Sequence, residues 1–380
     1  MPELNLESAW EYATGGPWPK PERLSGDESP MAEAIQESLA GIGLSSPNPS
    51  VGCILVKDGR VIGRGHHSRA GGQHAEVLAF QDANFRGEST SGATAYITLE
   101  PCCHTGKTPP CTSAIIQSNI RRVVVGARDI NPRVAGGGIA ILRAKGIEVS
   151  EGVLGSTCAQ LHAPFFKSMR TGLPWVMLKL ALGSDSGIGK KGMKTNVTPP
   201  EVQGYAHALR RVCDGILVGR NTVAIDNPQL TDRWPKPTQP YRVFRRIVLD
   251  SHGSLSPDCR VWQFAEGHSA IRVLTEGAPP IDGVEDLRLP PSSKGCNLHH
   301  LLHELSLKGI SRLLVEGGHT LASELLDADL VDVLHIFYST KPAGGEPVIL
   351  NTCKFDLHVG TLHFEDGYWQ ICQKNCNVAQ

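Results

Sequence analysis

The chain has 380 residues, 40% hydrophobic and 20% charged, which suits a folded globular protein with room for two ordinary domains and excludes a disordered or fibrous one. Its formal charge of −1 gives no general attraction to nucleic acid or to an anionic membrane, so any basic site must be local. Eleven cysteines make an odd set, most of them alone in apolar segments, which fits reduced core residues better than a disulfide framework.

Residues 1–28 hold four prolines and little periodicity, and read as an N-terminal extension. Their acidic, Pro/Gly-interrupted start lacks the basic and apolar regions of an export signal, and no run of about 18 apolar residues occurs anywhere, so a cytoplasmic protein is expected. After Ser29-Pro30, the residues Met31, Ala34, Ile35 and Leu39 recur near helical spacing and stop before Gly41, predicting a helix over about 30–42. VGCILVKDGRVIGRGHH carries a hairpin signal at Asp58-Gly59. ATAYITLE and RRVVVGA follow as strands, separated by helical stretches around HAEVLAFQDA and CTSAIIQSN. Such alternation predicts an α/β sheet covered by helices. The order restarts at LPWVMLKLAL and continues through DGILVG, RRIVLD, IRVLTE, RLLVEGG and DVLHIFYS. The expected organisation is therefore an extension over 1–28, a first domain over 29–171 that ends in a linker from 151, and a second α/β domain over 172–380.

Two stretches carry chemistry. TLEPCCHTGKTPPC, from Thr98 to Cys111, packs three cysteines, a histidine, a lysine and three prolines together, and HAEV sets His74 and Glu76 two apart where a helix begins. One imidazole and two thiolates make a three-ligand zinc site with its fourth position open to water, a catalytic rather than a structural arrangement. Glu76 is then the general acid/base, close enough to move a proton from that water to a leaving amine without being a ligand. His74, Glu76, Pro101-Cys102 and Cys111 follow the H-x-E…P-C…C logic of the zinc deaminases, with eight residues between the cysteines instead of two. Cys111 follows Pro109-Pro110 and precedes the apolar-periodic TSAIIQSN, where a helix N-terminus favours its thiolate. Cys103 and His104 compete for the metal. Adjacent residues of an extended loop point to opposite sides, which makes Cys103 a bystander. A closed structural zinc is the rival reading, and it would leave Glu76 idle.

SPNPSVGCILVKDGRVIGRGHH, GGQHAEVLAF, ATAYITLEPCCHTGKTPPC, RVVVGARDINPRVAGGGIAIL and GIEV, in this order over about 30–165, resemble the deaminase half of the RibD family of bifunctional riboflavin biosynthesis proteins. That family's T-L-E-P-C-x-H-x-G-[KR]-T-P-P-C run is matched at every fixed position. The resemblance implies an N-terminal cytidine-deaminase-like three-layer domain, which removes by hydrolysis the pyrimidine amino group of 2,5-diamino-6-ribosylamino-4(3H)-pyrimidinone 5′-phosphate. By motif position it puts substrate contacts on Asn48, His67, His104 and Lys107. Asn48 between two prolines also suits a turn, and His67 a solvated hairpin residue. A lysine beside a zinc pocket suits a phosphate. VAGGG at 134–138 reads as a turn needing positive φ, since it has no G-x-G-x-x-G register.

LPWVMLKLAL, LRRVCDGILVGRNTVAIDNPQLTDR, RRIVLDS and LLVEGGHTLASELLDADLVDVLHIF resemble the reductase half of the same family, a dihydrofolate-reductase-like α/β domain that uses NADPH to turn a ribosyl into a ribityl group. The resemblance implies nucleotide contacts at Thr222, Asp226, Ser251 and the Gly317-Gly318 turn, and substrate contacts at Arg210, Leu230, Arg233 and Glu316. Departures are visible: the family's S-x-D-G-[KR] becomes Gly183-Ser184-Asp185-Ser186-Gly187, so a basic residue is replaced by Gly187. The aromatic of its W-I-T run becomes Asn196, and its P-K-L-L-G-G strand end becomes STKPAGG. Weaker NADPH binding is the expectation, and a deaminase whose second domain is only a scaffold is the alternative. The expected cofactors are Zn²⁺ and NADPH. The expected partner is a small phosphorylated pyrimidine, with no nucleic acid and no membrane, and homo-oligomerisation is left open.

Overall fold

The protein, as a computed structural model, is described over residues 19–106, 108–190, 192, 193, 195–231, 243–292, 295–348, 355 and 357–374. Of the candidate site residues, Lys107 and Arg233 lie outside the described residues. One compact unit ends at Thr171 and the other begins at Gly172. Among the described residues no helix is long and apolar enough to cross a membrane.

The N-terminal unit opens with α1 (Glu28–Ser38), which tightens into a single 3₁₀ turn at Leu39–Gly41. The strands are β1 (Gly52–Lys57), β2 (Arg60–His66), β3 (Thr94–Leu99), β4 (Arg122–Ala127) and β5 (Glu148–Glu151). They form one sheet in the order β2-β1-β3-β4-β5, antiparallel up to β3 and parallel from there on. Asp58 at φ 49° and Gly59 at φ 72° are both left-handed, the conformation that a two-residue hairpin demands. Alternate strand residues, Cys53 and Leu55, Ala95 and Ile97, Val123 and Val125, bury one face under α2 (Ala75–Phe85), α3 (Cys111–Gln117) and α4 (Gly137–Ala144). A side-chain carbon at Gly65 would strike the backbone of Ala75 and Ala79, so that glycine lets α2 lie directly on β2 and fixes where the helix starts.

The segment expected as a linker is instead α5 (Gly155–Thr171), which belongs to the N-terminal unit. Pro164 inside it hides the helix from a sequence pattern, because proline normally ends one. Cys158, Leu161 and Phe166 are buried, and His162 Nε2 lies 3.2 Å from Thr98 Oγ1 of β3.

The C-terminal unit holds β6 (Trp175–Leu182), α6 (Pro200–Val212), β7 (Gly215–Gly219), α7 (Arg220–Asp226), β8 (Phe244–Leu249), β9 (His268–Leu274) and β10 (Val284–Arg288). After the small ladder of β11 (Pro291–Ser292) and β12 (Gly295–Cys296) come α8 (Leu298–Leu307), β13 (Arg312–Glu316), α9 (His319–Asp327), β14 (Val333–Ser339), β15 (Leu357–Phe364) and β16 (Gly367–Gln373). Nine strands pair in the order β10-β9-β8-β7-β13-β6-β14-β16-β15, parallel from β10 to β14 and antiparallel beyond. Val176, Leu178, Leu180 and Leu182 of β6 bury one face against Leu301 and Leu305 of α8 and Leu321 and Leu325 of α9. The register sets Glu316, Lys179 and His335 side by side across β13, β6 and β14 on the other face. The chain leaves β7 through α7 toward β8, and leaves β13 through α9 toward β14, so its two directions diverge between β7 and β13. In an open parallel sheet such a divergence leaves a crevice at the carboxyl ends of the strands.

Candidate active sites

His74 is the residue before the first turn of α2, and Glu76 lies within that turn, buried at 3% exposure. Cys102 sits where β3 has run out, and Cys111 is the first residue of α3. His74 Nδ1 lies 3.1 Å from Cys111 Sγ and 3.5 Å from Cys102 Sγ, and one donor atom from each of the three residues lies within 4.8 Å of the others. The other ring nitrogen, Nε2, is 3.4 Å from Thr108 Oγ1. This outer contact fixes the ring with Nδ1 toward the sulfurs. Cys111 N–H donates to Cys102 Sγ at 3.3 Å, which draws the two cysteines together although eight residues separate them.

The electrostatics follow from this packing. The Cys111 thiol, His74 and the N–H of Cys111 hold Cys102 well below the usual thiol range, while its shared proton and burial push Cys111 up. One thiolate is thus formed before any metal arrives, and a soft, partly ionised S₂N set fits zinc. Burial, reinforced by the Cys102 charge, raises Glu76 above the usual carboxyl range, the state a group needs to both accept and give a proton. Cys103 stands apart from the cluster, with its Sγ 3.5 Å from the Arg133 carbonyl.

A cavity of about 350 Å³ opens beside these groups, lined by Asn48, His67, His74, Glu76, Cys102 and His104 among others. His67 Nδ1 lies 2.9 Å from the Gln73 carbonyl and must donate to it, so Nε2 accepts from the Asn48 amide at 3.0 Å. Burial keeps His67 neutral by lowering its pKa. Asn48 is left with its carbonyl oxygen to offer a ligand. His104 Nδ1 is buried with no hydrogen-bond partner among the described residues, which marks a polar atom awaiting one.

Sequence reading passed over three groups here. Glu100 is 3% exposed and accepts from the backbone N–H of Asp129, Gly136 and Ile139 at 3.3, 3.0 and 3.2 Å, which clamps the Cys102 turn against the start of α4. Asp129 lines the cavity, and burial pushes its carboxyl up to about 6. Phe165 of α5 supplies an apolar wall. Gly136 has φ 80°, the left-handed turn expected of VAGGG, and leads directly into α4.

In the C-terminal unit, Arg210 and Glu316 meet as a bidentate pair, with Nε to Oε1 and Nη2 to Oε2 both at 3.1 Å, and Arg210 Nη1 donates to the Thr231 carbonyl at 3.1 Å. A cavity of about 270 Å³ is lined by Lys179, His207, Arg210, Leu230 and Glu316, with the Thr195–Thr198 segment closing it. Leu230 holds φ at 53°, an unusual strain for a large side chain, and sits against this cavity. Burial lowers the Lys179 ammonium. Burial alone would raise Glu316, but Arg210 and Lys179 outweigh it and hold the carboxyl below its usual range. Lys179 and His207 were not singled out from the sequence; a lysine inside the apolar run VMLKLAL was the available signal.

The residues expected to contact the nucleotide lie elsewhere, at the carboxyl ends of the strands. Thr222 and Asp226 are on α7 after β7, Ser251 follows β8, and Gly317-Gly318 join β13 to α9. They flank the divergence between β7 and β13. Side-chain carbons at Gly219 and Gly318 would meet nothing within 4 Å, so both turns border open space. The departures have a structural counterpart. Asp185 accepts from the N–H of Gly187, Ala343 and Gly344 at 3.2, 3.0 and 2.7 Å, and a side-chain carbon at Gly187 would collide with the Gly344 carbonyl. Gly187 and the Ala343-Gly344 turn therefore belong together, and a basic residue could not simply be put back.

Comparison with known proteins covers both units. The cytidine and deoxycytidylate deaminase zinc-binding region matches residues 24–127, and the RibD C-terminal domain matches residues 174–372. The chain is similar to the riboflavin biosynthesis protein RibD of Escherichia coli (strain K12), 38% identical over 333 residues that cover 84% of this chain and 89% of that protein. A crystal structure of the diaminohydroxyphosphoribosylaminopyrimidine deaminase/5-amino-6-(5-phosphoribosylamino)uracil reductase of Thermotoga maritima superposes with a TM-score of 0.81 at 37% identity, over 92% of this chain and 98% of that one. Acinetobacter baumannii RibD gives a TM-score of 0.77 at 30% identity, over 92% and 99%.

Proposed function

This chain belongs to the RibD family of riboflavin biosynthesis proteins, and from that premise we propose how its two units divide the chemistry. The chain is a bifunctional enzyme of riboflavin biosynthesis. Its N-terminal half is a zinc-dependent deaminase and its C-terminal half an NADPH-dependent reductase, acting in turn on a phosphorylated ribosylaminopyrimidine. The observation that carries the reading is that three converging soft donors share one cavity with a buried Glu76 that is not among them.

His74, Cys102 and Cys111 would hold the zinc through one ring nitrogen and two sulfurs. When bound, zinc supplies a Lewis acid that makes water nucleophilic near neutral pH. The Glu76 carboxylate takes the proton of the attacking water and delivers it to the departing amine nitrogen, a transfer that its raised pKa favours. Asn48, held by His67, offers its carbonyl oxygen to the pyrimidine edge, and His104 and Lys107 serve the polar end of the substrate. In the reductase half Arg210, Leu230, Arg233 and Glu316 contact the substrate, the two arginines suiting its sugar phosphate, with Thr222, Asp226, Ser251, Gly317 and Gly318 along the nucleotide. NADPH supplies the hydride.

The test is to incubate the purified chain with the diaminopyrimidine ribotide, with and without NADPH, and to weigh the products. Loss of the amino group without NADPH, followed by gain of two hydrogens with it, is expected. Deamination that never proceeds to the ribityl product would leave the second unit a scaffold.

A further inference from the structure

The reductase half-reaction needs a proton that the ion pairs of its cavity are badly placed to give. When the ribosylamine opens, the C1′–O4′ bond breaks, the exocyclic nitrogen's lone pair forms a C1′=N bond, and O4′ leaves with the electron pair and takes a proton. C1′ then receives hydride from the reduced nicotinamide, and the π pair of the C=N bond returns to nitrogen. One proton is consumed for each NADPH oxidised, and an alkoxide leaving group calls for a general acid.

Four ionisable side chains line the cavity, and three of them, Lys179, His207 and Arg210, act on the fourth, the Glu316 carboxylate. Arg210 gives Nε and Nη2 to the two oxygens of Glu316 and Nη1 to Thr231, and Lys179 lies in register beside Glu316 on the neighbouring strand. Arg210 does not give up its proton, Glu316 is held as a carboxylate with none to give, and a proton leaving Lys179 would take away a charge that stabilises Glu316. The remaining candidate is His207 on α6. Gln203, His207 and Arg210 recur at intervals of four and three, so they share the helix face that lines the cavity. Among the described lining residues, His207 is the one whose charge ordinarily changes near neutral pH. We propose that His207 is the general acid of the reductase half, donating the proton to the ring oxygen as the sugar opens.

Its surroundings set the sign of the pH dependence. The buried Glu316 carboxylate of β13 lines the same cavity, with Lys179 of β6 and Arg210 on its own helix. His335 of β14, next to Lys179 in register, accepts from Trp369 Nε1–H at 3.4 Å through Nδ1. The Thr195–Thr198 and Pro228–Leu230 segments add no titratable group. The reaction needs the protonated ring, so reduction slows as pH rises through the imidazole's pKa.

The inference rests on the two-activity reading, and one set of assays separates them. The parent and His207→Gln are compared for reduction of the deaminated ribotide across pH, for NADPH binding by fluorescence, and for the primary isotope effect with 4-deuterated NADPH. The expected variant binds NADPH as the parent does and reduces on the order of a hundredfold more slowly. Its rate no longer falls with rising pH, and its isotope effect drops toward one because ring opening has become slower than hydride transfer. If His207→Gln fails to bind NADPH, His207→Asn replaces it in the same measurements. A variant that binds NADPH and keeps the parent's rate and pH profile overturns the inference alone, as does a profile abolished only by Lys179→Met. A parent that forms no ribityl product overturns both readings.

Discussion

In the N-terminal unit the candidate metal centre comes from two short junctions, the start of α2 and the turn from β3 into α3, and backbone bonds such as Cys111 N–H to Cys102 Sγ brace it. The C-terminal site is gathered from α6, β6, β13 and the segments around Thr198 and Leu230. A site on two junctions fixes residue types at close spacing, because each donor must reach one ion. Outside those five segments, Gly187 and the Ala343-Gly344 turn fit one another through Asp185. The first kind depends on donors that converge on one point; the second depends on the pairing of Arg210 with Glu316.

Four outcomes test that contrast. The largest effect is expected at the ligands: Cys102→Ser or Cys111→Ser loses the single zinc and with it deamination, while Cys103→Ser retains both, as metal analysis of purified protein would show. Zinc that leaves only with Cys103→Ser would move the centre. Next is Arg210→Lys, which keeps a charge but cannot fork across both Glu316 oxygens. Reduction should fall by about 10², on the scale of a lost charge-assisted bond, with deamination unchanged. Equal losses in both activities would show that the two sites are not separate.

The third outcome concerns α5. Burial holds His162 neutral down to about pH 3, against roughly 6.5 in an unfolded chain. Its folded pKa is depressed, so the stability it contributes is complete above the unfolded value and is lost as pH falls toward the folded one. Between pH 7 and 5 the loss amounts to about 2 kcal/mol. His162→Gln can still bond Thr98 but cannot titrate, so its denaturation midpoint should fall less over that range; identical slopes would mean that α5 opens before the core does. The smallest effect is on the cofactor. Asn196→Trp should tighten NADPH by about 1 kcal/mol through added stacking, while Gly187→Lys should weaken it because the side chain displaces the Gly344 turn. Calorimetric tightening by Gly187→Lys would contradict the coupling of those two turns.

How much was legible follows the same division. The hairpin at Asp58-Gly59, the succession of strands and helices in the first unit and the grouping of His74, Cys102 and Cys111 could be read because turn chemistry and metal geometry act over short distances. Thr108 could not, since its part is only to hold His74 Nε2 from outside, and Glu100 works through three backbone N–H groups that carry no sequence signature. Phe165 was lost with α5, whose internal proline mimics a break. Lys179 and His207 matter through their neighbours across a sheet and a helix, and that information lies in the pairing of β6 with β13 rather than in either segment.

The central claim is that Glu76 moves the proton in a cavity whose metal is held by other residues, and one variant addresses it directly. Glu76→Gln should keep its zinc, its fold and its reduction of pre-deaminated ribotide, while deamination falls by a factor on the order of 10² or more. Deamination within a few fold of the parent would contradict the claim, because the proton would then travel by another route.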